Sequence, residues 1–212
     1  MKWNLLAAAV AIGLTARGCS INTAGIETTN GATVTASVSS ITGNAPPFSR
    51  VSVFDSGYIP AVDSGTALVT LAGDTGGFGF EGIAPGAYTV IIETPDSKKA
   101  ALFQDIPVGP RAVDSVRHQT LESTGVLSGT VTTAMGPAGI LVYLAGTGYY
   151  QVLSGSGQFT FSDIAPGVYT LQAIGLANNA KYATPTLVSA QDRKTIEVLA
   201  GKVNHADTLR VQ

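Results

Sequence analysis

The stretch Gly76-Gly77-Phe78-Gly79-Phe80-Glu81-Gly82-Ile83-Ala84-Pro85-Gly86-Ala87-Tyr88-Thr89-Val90 returns 81 residues later as Gly157-Gln158-Phe159-Thr160-Phe161-Ser162-Asp163-Ile164-Ala165-Pro166-Gly167-Val168-Tyr169-Thr170-Leu171. Aligned without a gap, the copies agree at nine of fifteen positions: Gly76/Gly157, Phe78/Phe159, Phe80/Phe161, Ile83/Ile164, Ala84/Ala165, Pro85/Pro166, Gly86/Gly167, Tyr88/Tyr169 and Thr89/Thr170. In each copy two phenylalanines separated by one residue place both rings on one face of a strand. Proline then fixes φ and removes a donor, and the following glycine permits positive φ, so the strand breaks at Pro85-Gly86 and at Pro166-Gly167. A second strand resumes the alternation with Tyr88 and Val90, or Tyr169 and Leu171. Two copies imply two domains, where three or more would imply a solenoid.

Upstream of each copy the pattern recurs in character. Thr33-Val34-Thr35-Ala36-Ser37-Val38 matches Val126-Leu127-Ser128-Gly129-Thr130-Val131, and Arg50-Val51-Ser52-Val53-Phe54 matches Gly139-Ile140-Leu141-Val142-Tyr143. The excess length of the first copy falls in residues 55–73. Downstream, the first copy continues through residues 99–103, 106–108 and 112–121, the second through 181–184, 186–188, 193–199 and 206–211. About seven short strands per copy, separated by turn residues, are the pattern of an antiparallel sandwich. The expected fold is therefore all-β: one sandwich over residues 31–121 and a second over 125–212, joined by a short boundary at residues 121–125.

Composition agrees. Charged residues make up 12% of the 212, the net charge is −2, and 25 glycines and 10 prolines lie scattered between apolar stretches. No long stretch places apolar residues at helical spacing, and the weight of Thr, Val, Ser and Gly favours sheets with tight turns. Without a basic stripe, nucleic-acid binding has no electrostatic support.

The N-terminus carries a different message. Lys2 precedes an apolar run from Leu5 to Leu14, too short for a bilayer span of roughly 20 residues and of the length of a signal-peptide core. Ala16-Arg17-Gly18-Cys19 follows, and Cys19 is the only cysteine. Residues 1–18 are expected to be a signal peptide, and either Cys19 is acylated as the lipid anchor of a bacterial lipoprotein or the chain is simply secreted. Ala16 holds the position usually taken by Leu in a lipobox, and Arg17 is an unusual neighbour. Several acyl chains at about 0.8 kcal/mol per methylene would hold the chain on a membrane. Ser20 stands where an inner-membrane retention signal would have Asp, which favours the outer membrane. Residues 19–30, small and polar, read as a tether. A single cysteine permits no internal disulfide.

The succession Ser128-Gly129-Thr130-Val131, Val142-Tyr143-Leu144-Ala145-Gly146-Thr147 and Gly157 through Leu171 resembles the carboxypeptidase regulatory-like domain, close to collagen-adhesin B-type and transthyretin-like modules. The first copy matches less well outside residues 74–93. The resemblance implies tandem Greek-key β-sandwiches used as accessory modules for binding or scaffolding at the cell surface, with no catalytic residues and no cofactor. It implies core and turn roles for the repeated residues. Lys–Asn isopeptide bonds found in collagen-adhesin modules need a core lysine on the first strand, and neither copy offers one there, so none is expected.

A search for chemistry finds little. His118 and His205 lack metal-ligand neighbours in sequence and read as solvated residues of edge strands. Gly155-Ser156-Gly157 is a turn without the helix a nucleophile elbow requires. Asp74, in Asp74-Thr75-Gly76-Gly77, is expected to cap its turn by accepting backbone N–H bonds, with too few oxygen ligands around it for calcium. Tyr149-Tyr150, after Gly146-Thr147-Gly148, and Tyr58 in the longer loop of the first copy are candidate ligand contacts, because tyrosine on a sandwich edge can stack on sugars and hydrogen-bond them. The expected partners are a membrane, through the N-terminal lipid, and a polysaccharide or another envelope protein.

Overall fold

The computed structural model describes residues 30–61, 67–110, 115–133, 139–177, 186–187 and 192–211. The expected signal peptide, Cys19, the expected tether up to residue 29 and the strand expected over 181–184 lie outside the described residues. The first half contains β1 (Gly31–Ala36), β2 (Ser40–Asn44), β3 (Arg50–Asp55), β4 (Leu68–Leu71), β5 (Gly77–Glu81), β6 (Gly86–Glu93), β7 (Lys99–Val108), β8 (Ser115–Thr120) and β9 (Glu122–Ser123). The second contains β10 (Gly125–Thr133), β11 (Gly139–Leu144), β12 (Tyr150–Leu153), β13 (Gly157–Ile164), β14 (Gly167–Ala177), β15 (Thr186–Leu187), β16 (Asp192–Val198), β17 (Val203–His205) and β18 (Leu209–Val211). There is no helix among the described residues.

The strands form four sheets, two built from each half. They are ordered β5-β2-β1-β8 and β4-β3-β6-β7-β9 in the first half, and β13-β10-β17 and β12-β11-β14-β15 in the second, where β18 also pairs with β10 and β16 with β14. Pairing is antiparallel except for β10 with β17 and β18. The all-β sandwich class expected from the residues is what forms. The strand inventory is richer than the seven per half expected, for identifiable reasons. In β2, Ser-Ile-Thr-Gly-Asn, only Ile41 is apolar, so the segment reads as a loop and becomes a strand through pairing on both sides. Residues 99–103 and 106–108 are one strand, β7, interrupted by a bulge. Its register against β6 slips between Tyr88 and Val90, and Asp105 sits at φ 53°. The Arg117 guanidinium donates to the carbonyls of Gln104 (3.0 Å) and Asp105 (3.2 Å), satisfying two acceptors beside that bulge.

The resemblance drawn between residues 33–38 and 126–131 is corrected by the pairing. In the second half Gly129 of β10 faces Phe159 of β13; in the first half the residue facing Phe78 of β5 is Gly43 of β2, while residues 31–36 form β1, on the far side of β2. Both glycines lie under a phenylalanine ring. A Cβ on Gly43 would come within 2.7 Å of the Phe78 ring, and one on Gly129 within 2.5 Å of the Phe159 ring. The structural counterpart of Leu127-Ser128-Gly129 is therefore Ile41-Thr42-Gly43, a likeness too short to stand out in the sequence.

The repeated Ala-Pro-Gly-x-Tyr explains itself as a corner. Tyr88 donates its hydroxyl to the carbonyl of Ala84 (2.8 Å), and Tyr169 donates to the carbonyl of Ala165. Each tyrosine closes the turn four residues before it, in the manner of the tyrosine corner of β-sandwiches. The turn before the first phenylalanine strand is held differently from expectation. Asp74 is exposed and makes no cap; Gly76 N–H donates to Gly73 O (2.9 Å) and Gly73 N–H to Gly77 O (2.8 Å), so backbone bonds close the turn.

Candidate functional site

In a sandwich with one solvated sheet face, inward and outward residues alternate between buried and exposed. The middle strands of the larger first-half sheet do not: β3 buries Val51 through Phe54, β6 Tyr88 through Ile92, and β7 Ala100 through Phe103. One set of alternate residues (Val51, Val53, Val90, Ile92, Ala101 and Phe103) belongs to the first-half core. The other set, Phe54, Ile91, Ala100 and Leu102, joins the core of the second half. The outer face of this sheet is thus covered by the second sandwich.

The covering element is the second copy of the repeated corner. Ala165 and Tyr169 are buried, whereas Ala84 in the first copy is exposed. Gly167 backs directly onto Leu102, close enough that a Cβ there would stand 2.6 Å from the Leu102 Cδ2. Beside this contact, Gly146 N–H donates to Tyr58 O (3.1 Å), and the Tyr58 ring tilts onto Phe54 with centroids 5.4 Å apart. The boundary is stitched to both halves as well. β9 pairs with the start of β7, Thr124 N–H donates to Lys98 O (2.9 Å), and Gly201 N–H donates to Ser123 O (3.0 Å).

At the polar end of this junction lies a cleft of about 170 Å³ lined by Arg50, Ser52, Phe54, Ile91, Glu93, Gly148 and Tyr149. Tyr149 donates its hydroxyl to Glu93 Oε1 (3.2 Å) and accepts from Ala165 N–H (3.2 Å), and its ring stands edge-on to Tyr169 at 6.4 Å. Arg50 Nη1 approaches Glu93 Oε2 at 3.9 Å. Burial pushes the Glu93 carboxyl above its ordinary range, against the opposing effects of the Tyr149 hydrogen bond and the Arg50 charge, with Asp163 adding to the rise. Burial likewise raises the phenols of Tyr149 and Tyr169, with the Glu93 carboxylate adding to both. A protonated phenol bridging a carboxylate and a backbone N–H has its hydrogen-bonding capacity spent. The arrangement joins two sandwiches; it presents no activated nucleophile.

The three tyrosines expected at a ligand surface are therefore dispersed. Tyr149 is turned into the junction, Tyr58 packs half-buried against Phe54, and Tyr150 alone of the three faces solvent, at the start of edge strand β12. Tyr149 and Tyr150 do not form one platform. They are consecutive in an extended chain, so the backbone sends their rings in opposite directions. His118 is an exposed residue of edge strand β8. His205 is exposed as expected, but the sequence reading missed its partner. Its Nδ1 lies 2.7 Å from Ser128 Oγ, across the parallel register of β10 and β17. The two are 77 residues apart, and no sequence spacing could have linked them. Ser156 accepts from Thr133 N–H (2.9 Å) and serves its turn. No group of three metal-ligating side chains occurs among the described residues.

No family model matches the chain, and no curated protein does. Among solved structures, the chain is similar to GBS52, the minor pilin of Streptococcus agalactiae, with 12% identity, a TM-score of 0.35, and coverage of 80% of this chain and 85% of that one. It is similar to the Bacillus anthracis TIE protein at 12% identity and TM-score 0.28, covering 87% of this chain and 35% of that one. An adhesin from Mobiluncus mulieris containing intramolecular disulfide, isopeptide and ester bond cross-links matches at 10% identity and TM-score 0.27, over 86% and 98% of the two chains.

Proposed function

We propose that this chain is a non-enzymatic cell-envelope lipoprotein. In this reading Cys19 carries the lipid, residues 1–18 are removed, and two carboxypeptidase regulatory-like sandwiches stand on the outer membrane as one binding or scaffolding element. The observation that carries the reading is the use made of the junction chemistry. Glu93, Tyr149 and Tyr169 are the groups that burial perturbs there, and the hydroxyls of both tyrosines are engaged inside the protein. Perturbed groups in a cleft are the usual pointer to catalysis; here their partners account for them. Shared burial of Phe54, Ile91 and Leu102 favours a stiff two-module body over two independent beads. Such a body transmits force and fixes the spacing of whatever its loops bind.

Metabolic labelling with radioactive palmitate tests the anchor. Wild type is expected to incorporate label and fractionate with the outer membrane, and Cys19→Ala to lose the label and leave the membrane fraction. Equal labelling of both would sink the lipid assignment. Protease digestion of intact cells then reports which side of the membrane carries the sandwiches.

A further inference from the structure

The outer face of the large first-half sheet does not end where the second sandwich covers it. The register of β4 on β3 sets Leu71 beside Arg50 and Val69 beside Ser52, and that of β3 on β6 sets Arg50 beside Glu93 and Ser52 beside Ile91. Residues directly opposite in a ladder point to the same face. Val69 and Leu71 therefore continue the face that Ile91 and Leu102 bury at the junction. Unlike those two they stand in water, with Val69 50% and Leu71 64% exposed.

The backbone of the same two residues is open as well. Ala72 N–H donates to Ser49 O (2.9 Å), on the β3 side. Peptide groups alternate sides along a strand, so Leu68 and Thr70 also address β3, whereas the N–H and C=O groups of Val69 and Leu71 point away from it. β4 is the last strand of its sheet, and among the described residues nothing else pairs with it. Natural sheets guard such edges with charge, proline or a covering contact. Edge strands β8 and β16 carry Arg117 and Lys194. β12, which holds against β11 the place that β4 holds against β3, is tied to β13 by Gln151 Oε1 accepting from Thr160 N–H (3.1 Å). From Ala67 to Gly73 there is no charged residue and no proline.

What fits this edge is the edge itself. Two antiparallel copies of β4 related by a two-fold axis through Thr70, perpendicular to the sheet, set Val69 opposite the partner's Leu71 and Leu71 opposite the partner's Val69. Those are the residues whose peptide groups point outward, so each such pair exchanges both of its N–H···O bonds. Their apolar side chains meet on one face, and the two Thr70 side chains meet on the other. An axis through Val69 would instead set Leu71 opposite the partner's Ala67, a smaller contact. We infer that this chain pairs with a second copy of itself through β4, antiparallel and centred on Thr70, joining two five-stranded sheets into one. This goes beyond the scaffolding reading, which a single chain satisfies.

Sedimentation equilibrium of the full-length chain in density-matched detergent reads the association. A monomer–dimer equilibrium is expected, weakened about tenfold or more in Val69→Lys/Leu71→Lys, which sets cations opposite one another. Mixing that variant with Val69→Glu/Leu71→Glu is expected to restore association as a mixed dimer, which separates repulsion from misfolding. Both positions are exposed, and a circular dichroism spectrum verifies the fold of each variant. At the axis the two Cα atoms of the non-hydrogen-bonded pair would stand roughly 4.5 Å apart, within reach of a disulfide. Thr70→Cys in a Cys19→Ala background, with copper phenanthroline as oxidant, is therefore expected to give a covalent dimer, and Val152→Cys on β12 in the same background to stay monomeric. A monomer at every concentration, an undiminished dimer in the lysine variant, or failure of the mixed pair to associate would each overturn the inference. So would the absence of a cross-link through Thr70 or an equal one through Val152. Loss of the dimer on deleting residues 20–29 would overturn it too, because the N-terminal segment of another copy would then fill the edge. The palmitate experiment is independent: labelling at Cys19 of a monomeric chain removes the dimer alone, and a dimer without labelling removes the anchor alone.

Discussion

Replacing Leu102 by alanine probes whether the two sandwiches share a core. Leu102 is 5% exposed and sits on β7 between Ala101 and Phe103, which face the opposite way into the first-half core. Its own side chain lies in the cluster that contains Leu127, Phe159, Tyr169 and Val198 of the second half. Truncating a buried leucine costs about 2–5 kcal/mol, more where the surroundings cannot collapse into the space. The backbone of Gly167 abuts the lost methyls and is held by the adjoining tyrosine corner, so relaxation is limited and about 3 kcal/mol is expected. With a urea slope of about 2 kcal/mol per molar, that is a midpoint shift of roughly 1.5 M. The decisive measurement is amide hydrogen exchange read separately in β7 and in β14. A shared core predicts that Leu102→Ala lowers protection in both by a similar factor, although the substitution lies wholly in the first half. Protection lost in β7 and unchanged in β14 would refute the argument, since the second sandwich would then be stable without its neighbour.

Other expectations follow from the same geometry. Glu93 has its folded pKa raised, so the stability it contributes is fully present below its unfolded pKa and is lost as pH rises through the folded value. Thermal melts of wild type should therefore show stability declining with pH above about 4.5, and Glu93→Gln, which keeps a partner for the Tyr149 hydroxyl, should flatten that dependence. An unchanged slope in Glu93→Gln would assign the pH effect elsewhere. Tyr169→Phe strands a buried carbonyl at Ala165 and should cost about 1–3 kcal/mol, whereas Tyr88→Phe, at a corner where Ala84 is exposed, should cost about 1 kcal/mol or less; denaturant midpoints give the order. Gly129→Ala should destabilise by about 1–3 kcal/mol by displacing the Phe159 ring, and the double variant Gly129→Ala/Phe159→Leu should recover part of that loss. Simple additivity in that cycle would show that the ring and the glycine do not press on one another.

Much of the fold was legible. Alternation in Gly-x-Phe-x-Phe and the chemistry of Pro-Gly are properties of a few adjacent residues, and they placed β5, β6, β13 and β14 in the sequence. The unbroken apolar runs Val90-Ile91-Ile92 and Ala100-Ala101-Leu102-Phe103 also carried the sign that both faces of these strands are covered. That sign was present in the residues and went unread. β2 could not be read, because its register is imposed by β1 and β5 and only Ile41 marks a buried position.

The site divides the same way. The sequence by itself determined two sandwich modules with matching corners and a shortage of ionisable groups, since each depends on local pattern or composition. Only the tertiary structure decided that the second corner docks on the first sheet while its twin faces solvent. The nine shared residues are the same in both places; what differs is whether the outer face of a sheet in the other half is apolar enough to receive them. Tyr149 and Tyr150 show this on the smallest scale. They are chemically identical neighbours, and one became a bolt between Glu93 and Ala165 while the other was left in water, because an extended backbone points them to opposite sides.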